Sequence, residues 1–63
     1  MLNIHTEMPS GAMSRGYDFE EEEKASKAFE RIKRQLVKMK FVGSIVVDEG
    51  GIELQREYIN GAS

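Results

Sequence analysis

Between Asp18 and Phe41 the apolar residues Ala25, Ala28, Phe29, Ile32, Leu36 and Met39 recur at helical spacing. On a wheel they fill an arc of roughly 100°, the width of a core-facing stripe. The spacing predicts one helix over residues 18–41, about 36 Å long. In a chain of 63 residues, everything else must then serve to cover one face of that rod. Asp18 is the expected N-cap, because its carboxylate suits an unpaired first-turn amide, and Glu21 three residues on would complete the cap. Glu20, Glu21, Glu22 and Glu23 stand at the positive end of the helix dipole, and Lys38 and Lys40 at the negative end. Gly43 is the expected stop. Phe29, Ile32 and Leu36 are expected to be largely buried.

The flanks read as strands. "SIVV" (44–47) and "IELQREY" (52–58) surround "DEGG", a hairpin turn signal. A Glu49-Gly50 loop would pair Val47 with Ile52, Ile45 with Leu54 and Gly43 with Arg56. Ile45, Val47, Ile52, Leu54 and Tyr58 would then share the core face, with Ser44, Val46, Glu53, Gln55 and Glu57 opposite. Near the N-terminus Leu2, Ile4 and Met8 alternate with Asn3, His5 and Glu7, the pattern of a short strand. "SIVV" carries no charge and would make a poor open edge, whereas Glu53, Arg56 and Glu57 blunt the other strand. The segment around Leu2 to Thr6, from the same chain or a second copy, is therefore expected to cover "SIVV". Residues 9–17, with the single proline, read as a loop, and 60–63 as a loose tail. The expected fold is α+β: one small domain over residues 1–63, in the order β-α-β-β, with a long helix on a two- or three-stranded sheet. The connection through the helix would be a right-handed crossover if the strands it joins are parallel.

Chemistry is sparse. No cysteine is present, which removes disulfides and thiolate metal sites. The one histidine, His5, is expected at the surface, and no serine has another base to activate it. Four consecutive glutamates at a helix start point around the wheel instead of converging, and Asp48-Glu49 reads as turn. No catalytic, cofactor or metal site is expected, and the chain is expected not to be an enzyme. No apolar run approaches the roughly 20 residues that cross a bilayer, and the first residues lack the basic start and apolar core of a signal peptide. A cytoplasmic, non-membrane protein is expected.

One surface feature stands out. Lys24, Lys27, Arg31, Arg34 and Lys38 follow one another in steps of three, four, three and four, so they form one stripe on the helix. A stripe of this kind suits an acidic partner or a nucleic-acid backbone. Against that, Glu20, Glu23 and Glu30 stand four residues before Lys24, Lys27 and Arg34, pairs worth about 0.2–0.5 kcal/mol each on a solvated face. The net charge is −2 and no aromatic residue interleaves with the stripe, which disfavours nucleic acid. The expectation is a non-enzymatic protein-interaction module, a regulatory or inhibitory binder, with these five cations as its candidate partner-binding residues. A homodimer is expected, because so small a core needs added burial, and Phe41, Val42 and Val46 offer apolar surface to a second copy. The alternatives are a nucleic-acid-binding module using the stripe, or an acidic nucleic-acid mimic of the kind phages and mobile elements encode, built on Asp18, Glu20 to Glu23, Asp48, Glu49, Glu53 and Glu57.

Overall fold

A computed structural model describes residues 1–14 and 16–61. Five elements follow in order: β1 (Leu2–Glu7), β2 (Tyr17–Phe19), α1 (Glu22–Lys38), β3 (Val42–Glu49) and β4 (Ile52–Asn60). The strands form one antiparallel sheet in the order β2-β1-β3-β4, with α1 packed on one face. The class is α+β and the chain is a single small domain, with four strands instead of the two or three expected.

The extra strand is β2. Tyr17-Asp18-Phe19 alternates aromatic and polar residues, which suits a pleated, half-buried edge. It pairs with β1 through Leu2↔Phe19, Asn3↔Asp18 and Ile4↔Tyr17. Phe19 packs against the core, and the Asp18 carboxylate accepts a hydrogen bond from Asn3 Nδ2 at 2.9 Å. Asp18 therefore does not cap the helix. The first helical residue is Glu22; Glu21 occupies the cap position with extended backbone and no side-chain bond. Because β2 and β3 are each antiparallel to β1, they run the same way, and α1 joins them across β1 as a split β-α-β unit. The expected crossover between neighbouring parallel strands is replaced by an antiparallel β1–β3 pair.

The helix also ends earlier than expected. Lys40 takes the left-handed conformation (φ 59°). Phe41 N–H donates to the Leu36 carbonyl at 3.0 Å, and Lys40 N–H to the Val37 carbonyl at 3.1 Å. That is a Schellman stop with a lysine where glycine is usual. Gly43 lies inside β3 and plays no part in it. Met39, expected in the stripe, is the C-cap and is exposed. Ala25, Ala28 and Phe29 are buried, while Ile32 and Leu36 are only half-buried at the margin of the core.

The β3–β4 turn differs by one residue from expectation, and a bulge changes the faces. Gly50 and Gly51 (φ 58° and 87°) form the two-residue loop, closed by Glu49↔Ile52. A primed hairpin turn needs positive φ at both central positions, and glycine meets that without strain where Glu49 would not. Pairing then runs Asp48↔Glu53 but Val47↔Gln55, so Leu54 is the extra residue of a bulge. Ile45 and Val47 do face the helix, but Ile52, Leu54 and Tyr58, expected beside them, are exposed. The β4 residue in the core is Ile59, opposite Gly43. Val46, expected on a solvent face, is 1% exposed, because β3 is an inner strand covered on both sides. Phe41 and Val42 are half-buried, so the apolar surface expected to receive a second copy is largely consumed within the chain.

β1 does cover "SIVV", and from the same chain, in register from Leu2↔Glu49 to Glu7↔Ser44. The loop after β1 is tied back to it. Ser14 N–H donates to the Thr6 carbonyl and Thr6 N–H to Ser14 Oγ, both at 2.9 Å. At Gly16 (φ 83°) the returning backbone passes so close that a Cβ would meet the Ile4 carbonyl at 2.6 Å and His5 Cβ at 2.8 Å. The expected tail is shorter than 60–63, since Asn60 ends β4 and Gly61 N–H donates to the Phe41 carbonyl at 2.8 Å. Ala62 and Ser63 of that tail, and Arg15 of the expected loop, lie outside the described residues.

Two consequences can be measured by urea unfolding. Phe29→Ala should cost about 3–5 kcal/mol and Ile45→Ala about 2–5 kcal/mol, enough to unfold much of so small a domain, whereas Ile52→Ala should change stability by less than about 0.5 kcal/mol. Lys40→Gly should stabilise by up to about 1 kcal/mol by relieving the left-handed backbone; a loss would mean that the lysine stem contributes more by packing than its conformation costs.

Candidate interaction site

A single helix cannot cover a four-stranded sheet. The Lys33 ammonium donates to Glu57 Oε1 at 2.7 Å, clamping the C-terminal half of α1 to β4. That hydrogen bond is the main cause of a raised Lys33 pKa. Towards its N-terminus α1 leaves the β3–β4 turn uncovered, and a groove of about 670 Å³ opens between them. Leu2, Ala25, Phe29, Val47 and Leu54 supply its apolar surface, with Ser26 and Gln55 beside them. Glu20, Glu22, Glu30 and Glu49 are its charged lining residues. None of these four carboxylates has a cation within 4 Å among the described residues. The groove is thus mixed in lining, somewhat more polar than apolar, with Leu54 as its exposed apolar residue, and it is acidic in charge. Sequence reasoning missed it because Leu54 was assigned to the core; the residue stands on the helix side of the sheet, beside Val47, but where α1 does not reach.

The opposite face of the sheet carries a connected polar chain. Asn3 Nδ2 donates to Asp18, which turns Asn3 Oδ1 towards His5 Nδ1 at 3.1 Å. His5 Nε2 lies 3.1 Å from Glu7 Oε2, so a proton on either ring nitrogen meets an acceptor. Glu7 Oε1 accepts from Arg56 Nη1 at 3.0 Å, and Arg56 Nε and Nη2 reach Glu53 Oε1 at 3.1 and 2.8 Å. The chain runs across all the strands and flanks Val46, which pairs with His5 on one side and Arg56 on the other. His5, expected at the surface, is 8% exposed, because the returning backbone at Gly16 presses against it. Arg56 and then His5 hold the Glu7 carboxyl below its ordinary value of 4.5 by hydrogen bonding, and Glu53 and Glu7 push the Arg56 pKa up. These carboxylates are engaged with cations, unlike those of the groove. Asp48 Oδ1, in the same row as Asn3 and Glu53, is buried without a hydrogen-bond partner among the described residues.

The five cations of the stripe do lie on the solvent side of α1, and the structure divides them. Lys27 stands 3.6 Å from Glu23 and Lys24 3.9 Å from Glu21, both exposed pairs of small energetic weight. Arg31, Arg34 and Lys38 have no acid within 4 Å among the described residues, and with Gln35 they surround a shallow depression of about 260 Å³. Among the described residues, no group of three or more His, Asp or Glu side chains is placed to hold a metal ion. No described helix is long and apolar enough to cross a membrane. Comparison with known protein families, curated proteins and solved structures finds no match, so the geometry stands alone.

The polar chain makes stability depend on pH. A carboxyl whose pKa is lowered by folding contributes stability that is fully present above its unfolded value and is lost as pH falls through the folded one. Glu7 should therefore give wild-type protein a steeper loss of urea midpoint below pH 4.5 than Glu7→Gln, with the variant already weaker at neutral pH. Parallel profiles would show that the Glu7–Arg56 contact adds nothing to the folded state.

Proposed function

We propose that this chain is a non-enzymatic protein-interaction module that acts by occupying a partner, and that its binding surface is the groove between α1 and the β3–β4 turn. The observation that carries this reading is exposed Leu54 beside half-buried Val47, next to four carboxylates with no cation within 4 Å among the described residues. A cleft that sets exposed apolar surface among polar and charged groups is a common form of a specific binding surface. Homodimer formation belongs to the same proposal. It rests on the marginal size of the core and on Met8, Met13 and Tyr17, exposed apolar side chains that do not line the groove. The second reading, nucleic-acid binding, is favoured by the cluster of Arg31, Arg34 and Lys38, which has no acid within 4 Å among the described residues.

Affinity capture from the native cell, compared across variants, separates the two readings. Leu54→Asp should lose the captured protein, while Arg31, Arg34 and Lys38 changed together to glutamine should retain it. The reverse pattern, with a salt-sensitive gel shift of nucleic acid by wild-type protein, would move the site to the basic depression. Light scattering at tens of micromolar should give twice the chain mass of 7.2 kDa; a monomer would remove the dimer and leave the groove reading intact.

A further inference from the structure

We infer that the groove takes a cationic amphipathic helix from a partner protein, with apolar side chains along one face and lysine or arginine along its flanks. The inference rests on the groove being the binding surface.

A sheet buries an apolar face against a second layer, and beside α1 that layer covers Val47 only in part and is missing over Leu54. An occupant lying there rests on the sheet with α1 as its side wall, through Ala25 and Phe29. It fills the height α1 itself fills, about 10 Å, the thickness of one helix. An apolar helix face laid into such a trough is an established mode of recognition.

Charge sets the chemistry of the flanks. The carboxylates engaged elsewhere, Glu7, Glu53 and Glu57, belong to ion pairs with Arg56 or Lys33. Those beside the groove have no cation within 4 Å among the described residues, although Lys33 attracts Glu30 from farther off. The helix dipole accounts for Glu22, in the first turn. It does not account for Glu30, in mid-helix, or Glu49, on the hairpin. Acid on both walls repels phosphate and acidic peptides and favours a partner with cations on both flanks. A second copy of this chain does not supply that helix. The apolar face of its α1 is largely taken up by its own core, and beside the cations from Lys24 to Lys38 its outer side exposes one valine, Val37, in place of an apolar stripe.

The test uses three labelled synthetic peptides, each about five turns long, titrated with the full chain and read by fluorescence anisotropy. The first carries leucine at helical spacing with lysine elsewhere. The second has the same composition scrambled so that no leucine face forms. The third replaces lysine with glutamate. The first should bind, at least about tenfold more tightly than either other peptide. Leu54→Asp, and separately Glu30→Lys with Glu49→Lys, should each weaken it at least about tenfold. These three residues are exposed, and circular dichroism confirms that each variant remains folded. Equal binding of the scrambled peptide, or indifference to Leu54→Asp, would reduce the effect to bulk charge attraction and overturn the inference. Preference for the glutamate peptide would overturn it too. If no peptide binds while cellular capture still depends on Leu54, the occupant has another chemistry: the inference fails and the proposed function stands.

Discussion

The fold depends on β1 being hydrogen-bonded along both edges. It pairs with β2 on one side and β3 on the other, so it lies inside the sheet although it opens the chain. Its two faces do different work. Leu2 and Ile4 enter the core under α1, while Asn3, His5 and Glu7 form half of the polar chain on the opposite face. The same strand gives β3 its second neighbour, which is why Ile45 and Val46, adjacent in sequence and pointing opposite ways, are both buried. A chain too short for two full layers gains a second covered face here without a second helix, from hydrogen-bonded polar side chains and a close-packed glycine backbone at Gly16.

What a single helix leaves uncovered is the other consequence. α1 is held at its C-terminal end by Lys33 and Glu57 and begins directly after β2, so its start lies away from the β3–β4 turn. The bulge at Leu54 adds one residue to β4 where the sheet is bare. Together these place apolar side chains and unpaired carboxylates in one groove. The chain's charges are nearly balanced in number, yet the tertiary structure sorts them. One set of acids closes ion pairs that hold strands and helix together; another is left beside the groove, and on the outer face of α1 three cations have no acid within 4 Å among the described residues.

The stripe from Ala25 to Leu36, the "DEGG" turn and the alternation of "LNIH" were legible because periodicity and turn chemistry are local properties. They were enough to settle an α+β domain and the pairing of β1 beside β3. The cationic stripe was legible for the same reason, but not which of its members have acids near them, since that depends on side-chain placement. Asp18 was ambiguous by itself: a carboxylate before a helical run is a cap signal, and between two aromatics it is a strand residue. Only the presence of Asn3 across the sheet decided it. Leu54 was likewise apolar at a strand position, and only the reach of α1 decided that it stays uncovered. The burial of His5 and Val46, the linkage of Glu7 to Arg56 across 49 positions of chain, and the groove itself join residues distant in sequence. No local pattern encodes such meetings, so tertiary structure alone decided them.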